Sequence, residues 1–352
     1  MEWDICAASL PSKFQSDFEP MPPKTVDCSP FRTWFGMWPL AACLAVGLVP
    51  SGCSEALAER STIIHVSPAR GNDSNPGTAA APLANISAAV AIVRPGDTIL
   101  LAPGLYKLQS KRNYGVAIRT NGTPEAPIIL RGDGGEAILD CSDLTKTSTV
   151  YCLNIEADWW RISNIAVTGG KQNRAGSWVV GINLVNASNN ILRNVRSYRH
   201  QGPGIVVSGA SGNNLLEDCE AFGNFDPLSD VPGGNADGIQ ITSVKRTQDG
   251  NVVSRCRVYD NSDDGFDLWK TEAVVTIRNS VASRNGYVPG TSEPAGDGVG
   301  FKLGVNRSGP PHQILNNLAV DNRAAGFDLN GAAGKPVFVG NIARSNGKAG
   351  YN

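Results

Sequence analysis

Four aspartates and a lysine in the second half of the chain are of the types needed for metal-assisted proton transfer: Asp237, Asp263, Asp264, Asp267 and Lys302. Each lies in or beside a short recurring phrase, glycine followed by apolar, any residue, apolar. Its copies are Gly181-Ile-Asn-Leu, Gly204-Ile-Val-Val, Gly238-Ile-Gln-Ile, Gly265-Phe-Asp-Leu, Gly300-Phe-Lys-Leu and Gly326-Phe-Asp-Leu. Stacked as neighbouring strands about 4.8 Å apart, the variable positions form one outward column: Asn183, Val206, Gln240, Asp267, Lys302, Asp328. The residues ahead of each glycine form a second column, with Asp237 beside Asp264 and Asp263 alongside. Four carboxylates then converge across two coils. Such a cluster repels itself unless a cation sits within it or some members hold protons. Oxygen ligation without His or Cys suits Ca²⁺, and the Gly265 carbonyl is a further candidate ligand. Acidic turn residues capping strand ends in water are the plainer reading of one aspartate, and four in register weigh against it. A lysine beside aspartates ordinarily forms a salt bridge. To act as a base Lys302 must be partly neutral, which burial or a nearby cation provides.

The elements that must position these groups are also repetitive. From about residue 160 a nine-residue phrase returns, starting at Arg161, Ile191, Leu216, Val253, Ile277, Ile314 and Phe338. Its central positions are Asn164, Asn194, Cys219, Cys256, Ser280, Asn317 and Asn341. Between copies stand the Gly-apolar-x-apolar phrases, so each repeat holds short period-2 strands separated by turn residues. No intervening stretch is long enough for a crossover helix. The expected fold is therefore all-β, a solenoid whose coils stack like strands into parallel sheets. Small polar side chains at the central corner should stack inside the turn, with amides bonding from coil to coil. An N-terminal cap is expected over residues 59–105: a strand at Ile63, a short helix from Ile86 to Val93, and a strand at Thr98. The chain stops at Gly350-Tyr-Asn, in what reads as the opening of another strand, so a truncated C-terminal coil is expected.

Composition narrows the partners. Lys+Arg 31 against Asp+Glu 32 leaves a net charge of −1, which gives no broad basic field for nucleic acid. The 39 glycines and only three methionines favour a turn-rich β protein. Residues 34–49 hold an apolar run after Lys24 and Arg32 and before Ala56-Leu57-Ala58. That order reads as a secretory signal within residues 1–58, cleaved at Ala58, and the run is too short for a stable membrane span. Lipidation at Cys53 competes with it, and Met21 is an alternative start. Export would leave Cys141, Cys152, Cys219 and Cys256, enough for two disulfides. Cys219 and Cys256, in neighbouring coils, could pair or remain buried thiols. None shows CxxC spacing, which disfavours a zinc site.

Three segments together carry a resemblance: Asn235-Ala-Asp-Gly238, Asn261-Ser-Asp-Asp-Gly-Phe-Asp-Leu-Trp-Lys270 and Gly296-Asp-Gly-Val-Gly-Phe-Lys-Leu-Gly304. With the opening His65-Val-Ser-Pro, Gly71-Asn-Asp-Ser-Asn-Pro-Gly and Pro95-Gly-Asp-Thr-Ile, the chain resembles polysaccharide lyase family 9. The resemblance implies a right-handed parallel β-helix over residues 59–352. It implies Ca²⁺ on Asp237, Asp263, Asp264 and Asp267, with Lys302 as the base. The implied reaction is β-elimination on an acidic polysaccharide, pectate above all, by a secreted protein expected to be monomeric. Lys270 and Arg307 are candidates for other substrate carboxylates. A polygalacturonase-type hydrolase also uses an Asn-x-Asp-Gly phrase and an Asp pair. It would need a Gly-His-Gly phrase, and His65, His200 and His312 occur in no such setting. A non-catalytic carbohydrate-binding or adhesin solenoid is the bland alternative.

Overall fold

Runs of three to nine residues that alternate apolar with polar, closed off by Gly and Asn corners, can bury their apolar side only by stacking on copies of themselves. A computed structural model of the protein describes residues 61–109, 113–144, 148–305, 309–332 and 334–352. All of these fall in one unit, Ala58–Asn352. The expected leader, with Met21, Cys53 and Ala58, and the candidate Arg307 lie outside the described residues.

The strands form three parallel sheets that run the length of the molecule as the faces of a β-helix. The first begins with Ile63–Val66, Thr98–Leu101 and Ile128–Gly132 and ends with Val337–Val339. The second runs from Gly104–Lys107 and Ala137–Asp140 to Ile342–Arg344. Trp160–Thr168 and Ile191–Tyr198 are long enough to serve both. The third sheet holds eight strands, from Tyr114–Ile118 to Phe327–Asp328, and includes every Gly-apolar-x-apolar phrase. At the N-terminal end Ile63–Val66 pairs in parallel with Thr98–Leu101, and helix α1 (Ile86–Ile92) buries Ile86, Ala89 and Val90.

Register in the third sheet follows the outward column rung for rung. Asn183 pairs with Val206, Val206 with Gln240, Gln240 with Asp267, Asp267 with Lys302, and Lys302 with Asp328. The glycines that open these strands are required by close approach. A Cβ on Gly238 would lie 2.7 Å from the Gly265 carbonyl oxygen, and one on Gly265 would lie 2.6 Å from that of Gly300. Inward, Phe266, Phe301 and Phe327 are buried and stack face to face with ring centroids 4.8 and 4.6 Å apart. This column locks the register from inside, because aromatic faces in contact resist slippage of one coil past the next.

The corner ladder differs from the expectation in two copies. Asn164 and Asn194 stand level with each other and with Asp218, one position ahead of Cys219, and all three adopt left-handed φ of 52–55°. Asn194 does donate to Asn164, at 2.9 Å, but on the exposed side. The interior continues through Cys219, Cys256, Ser280 and Asn317. A second, fully amide ladder stands at the last position of the phrase: Asn224, Asn261, Asn285, Asn322 and Asn346 bond in series at 2.8–3.0 Å. Cys141 and Cys152 form a disulfide, and Cys219 and Cys256 are buried free thiols.

Candidate active site

The four aspartates come from two successive rungs of the third sheet and the corner that precedes each. Asn235 fixes the approach to Asp237, donating to the buried Asp226 carboxylate through its backbone N–H at 3.4 Å and its side-chain amide at 3.0 Å. Asp263 and Asp264 sit in the corner before Gly265, and Asp267 follows two residues into the strand. All four are no more than 5% exposed.

Each carboxylate has its Oδ1 fixed by a backbone N–H. Asp264 N donates to Asp237 at 3.1 Å, Asp297 N to Asp263 at 2.6 Å, Val299 N to Asp264 at 2.7 Å, and Trp269 N to Asp267 at 2.9 Å. The Oδ2 atoms remain. That of Asp267 accepts from the Gln240 amide at 3.3 Å. That of Asp264 lies 2.8 Å from Lys302 Nζ, an ion pair angled poorly for a hydrogen bond, so it has no hydrogen-bond donor. Those of Asp237 and Asp263 accept no hydrogen bond and join no ion pair among the described residues, and both residues line the cleft rather than being closed off as Asp264 Oδ2 is. Asp237, Asp263 and Asp264 each offer an oxygen within 4.8 Å of the other two. Asp267 stands outside that trio. The Gly265 carbonyl accepts from Ile239 N at 3.0 Å and serves the sheet.

Electrostatics make the arrangement expensive without a partner. Burial raises the Asp237 pKa, and repulsion from Asp263, Asp267 and Asp264 raises it further. Burial and then Asp264 raise Asp263. Burial raises Asp264 while Lys302 opposes. Asp267 is pushed from its ordinary 3.8 to about 7, by burial first and the Asp264 charge second. Burial disfavours the charge on Lys302, but Asp264 and Asp267 outweigh burial and hold it protonated above the ordinary lysine range. Orphaned oxygens on buried carboxylates, with no nitrogen or sulfur donor among them, fit a hard divalent cation.

Two residues escaped the sequence reading. Asp297 accepts a 2.8 Å hydrogen bond from Lys302, which lowers the Asp297 pKa against its partial burial. Arg323 braces the loop that carries Asp297, donating to the backbone carbonyls of Ala295, Gly296 and Asp297. The Gly-Asp-Gly spelling was a signal for this loop. Lys302 makes no salt bridge among the described residues with its rung neighbours: Asp267 accepts from Gln240 and the Trp269 N–H, and Asp328 from Asn330 and Asn352.

These groups open on a cleft of about 400 Å³ whose walls include Trp178, Asn235, Gln240, Thr242, Trp269 and Asp297. Lys270 is not among the lining residues; its ammonium lies 3.7 Å from the centre of the Trp269 ring. None of the three histidines lines the cleft. His200 and His312 are buried, and desolvation lowers both to a pKa of about 4.

Fold and site together define a parallel β-helix protein with an acidic, cation-suited cleft on one sheet. The chain belongs to the Pel9A-like right-handed β-helix family, whose model matches residues 64–352. Among curated relatives it is 33% identical to pectate lyase L of Dickeya dadantii, over 81% of this chain and 65% of that protein. It is 30% identical to pectate lyase PEL9 of Emericella nidulans, over 82% of this chain and 74% of that protein. The chain thus spans about two thirds of the first of these. Among solved structures it matches pectate lyase Pel9A with a TM-score of 0.66 and 31% identity, covering 78% of this chain and 66% of that one. A rhamnogalacturonan lyase matches with a TM-score of 0.71 and 29% identity, covering 77% and 71%.

Proposed function

We propose that the protein is a calcium-dependent polysaccharide lyase that cleaves a uronic-acid polysaccharide, pectate in the first instance, by β-elimination. The observation that carries the reading is the meeting of an amine and a buried carboxylate nest on adjacent rungs: Asp267 pairs in register with Lys302, whose Nζ lies 2.8 Å from Asp264. Relatives named pectate lyase support the reaction class.

Asp237 and Asp263 would hold the cation through their free oxygens and Asp264 through the oxygen that faces Lys302, with Asp267 beside them. When bound, the cation neutralises a substrate uronate carboxylate, acidifies the neighbouring C5–H, and offsets the field that keeps Lys302 protonated. Lys302 is the base. It takes the C5 proton, the C5–H electron pair forms the C4–C5 double bond, and the C4–O bond breaks with its electrons leaving on the glycosidic oxygen. Gln240 holds Asp267 in place, and Asp297 holds the ammonium once it carries the proton. The walls at Trp178 and Trp269 offer apolar faces to the sugar rings.

The reading extends to the whole chain as an exported, monomeric protein, with a leader in residues 1–58 ahead of the lyase domain at 59–352. Among the described residues no helix is long and apolar enough to cross a membrane. The test is ultraviolet absorbance during digestion of polygalacturonate, rhamnogalacturonan and alginate, with calcium and with chelator. A lyase produces an absorbing unsaturated end on at least one polymer, only with calcium. New reducing ends without absorbance would point to a hydrolase, and no product of either kind to a binding solenoid.

A further inference from the structure

The segment 295–299 touches the proposed metal nest at three points. The Asp297 N–H donates to Asp263, the Val299 N–H donates to Asp264, and the Asp297 carboxylate accepts from Lys302. Two carboxylates and the amine are thus aimed by five residues of irregular backbone. That backbone is contorted, with φ of +43° at Gly296 and +74° at Gly298. A Cβ on Gly296 would lie 2.6 Å from Asp263 Oδ1, and one on Gly298 would lie 2.8 Å from the Gly286 Cα. Backbone of this kind holds its shape only if something outside it fixes it.

Backbone bonds from Ala295 N to Gly286 O and from Gly265 N to Val299 O, both 2.9 Å, hold its two ends, and Arg323 holds the stretch between them. Its Nε donates to the Ala295 carbonyl at 3.2 Å, and Nη2 donates to the carbonyls of Gly296 and Asp297, the latter at 2.9 Å. Arg323 makes no salt bridge with a carboxylate among the described residues; its donors go to consecutive carbonyls of one loop. The base of the side chain is anchored in turn, since Arg323 N donates to Asn285 O at 2.9 Å, beside the amide ladder. The next backbone N–H, that of Ala324, donates to the Gly298 carbonyl at 2.8 Å. A planar guanidinium can serve several fixed acceptors at once, where an ammonium acts as a point charge.

We infer that Arg323, one coil beyond Lys302 and outside the cleft, is the positioning residue that sets cation affinity by clamping segment 295–299 in the shape that presents Asp263 and Asp264. This rests on the metal reading proposed above. The experiment is calcium titration by calorimetry on the wild type, Arg323→Ala and Arg323→Lys, with thermal unfolding of each in chelator. The Ala variant should bind calcium roughly 10- to 100-fold more weakly, the usual cost of losing a group that orients metal ligands. Its unfolding temperature in chelator should stay near wild type, and the increase that calcium gives should shrink. The Lys variant keeps charge and length without the fork, so its affinity should fall between the two. It also serves if the Ala variant does not fold. Wild-type calcium affinity in the Ala variant, or full affinity in the Lys variant, overturns the clamp. If the wild type itself fails to bind calcium, the metal reading fails instead, and the two failures are told apart by that first titration.

Discussion

The carboxylate nest should make the metal-free protein lose stability as pH rises through neutrality, opposite to the usual behaviour of paired carboxylates. Asp267 has a pKa of about 7 in the folded chain against an ordinary 3.8. A group raised on folding contributes stability that is present below its unfolded value and lost as pH climbs through the folded one. From about pH 6.5 to about pH 8 this single group removes about 0.8 kcal/mol, at about 1.4 kcal/mol per pKa unit. Asp237 and Asp263 shift in the same direction and add to it. His200 and His312 fall to about 4 on folding and act in the opposite sense: each still adds about 0.4 kcal/mol of stability from about pH 6.5 to about pH 8 as the unfolded imidazole loses its remaining protons, so the nest is read from the difference between wild type and a variant lacking the Asp267 charge. Asp140, Glu217 and Asp297 are lowered and titrate below the window. The assay is urea unfolding in chelator at several pH values. Asp267→Asn should flatten part of the slope and stabilise the metal-free protein at pH 8, and saturating calcium should remove most of the slope. An Asn variant whose stability changes from pH 6.5 to pH 8 just as that of the wild type does, or one no more stable than wild type at pH 8, would refute the electrostatic account of the nest.

Two further expectations follow from the same geometry. Lys302→Ala should reduce turnover by roughly 10²- to 10⁴-fold, the range for a lost general base, while circular dichroism stays unchanged; retained turnover would remove Lys302 from the mechanism. Asn285→Ala should cost about 2 to 3 kcal/mol, because the fully buried amide accepts from both the backbone N–H and the side-chain amide of Asn261 and its loss strands those donors. Urea denaturation measures that loss, and a change below half a kilocalorie would mean the ladder carries little.

The outward column from Asn183 to Asp328 could be read before any coordinates because the glycines allow no alternative register. A shift of one residue would drive a Cβ into a carbonyl oxygen and turn the phenylalanines outward. The corner ladder was harder to place because its left-handed position accepts Asn, Asp, Arg or Gly, as at Asn194, Asp218, Arg255 and Gly340. An asparagine there looks like one inside the turn, and the copies at Asn164 and Asn194 slipped by one. The amide ladder from Asn224 to Asn346 ends each phrase in plain sight, yet only the coordinates separate a stacked amide from a turn asparagine. Asp297 and Arg323 were hidden for another reason. Arg323 acts on backbone carbonyls, and a contact to backbone leaves no complementary residue in the sequence to find.

The spacing of the amide ladder alternates, 24 residues from His200 to Asn224, 37 to Asn261, 24 to Asn285, 37 to Asn322 and 24 to Asn346. Both longer turns of the helix bulge outward just before the third sheet, at 225–236 and 286–298, and the shorter turn between them bears Asp263, Asp264 and Asp267. The cleft is thus a notch made by omission, where a lean turn lies between two padded ones. Its depth can be changed by lengthening or trimming the padding, with no rung of the ladder disturbed.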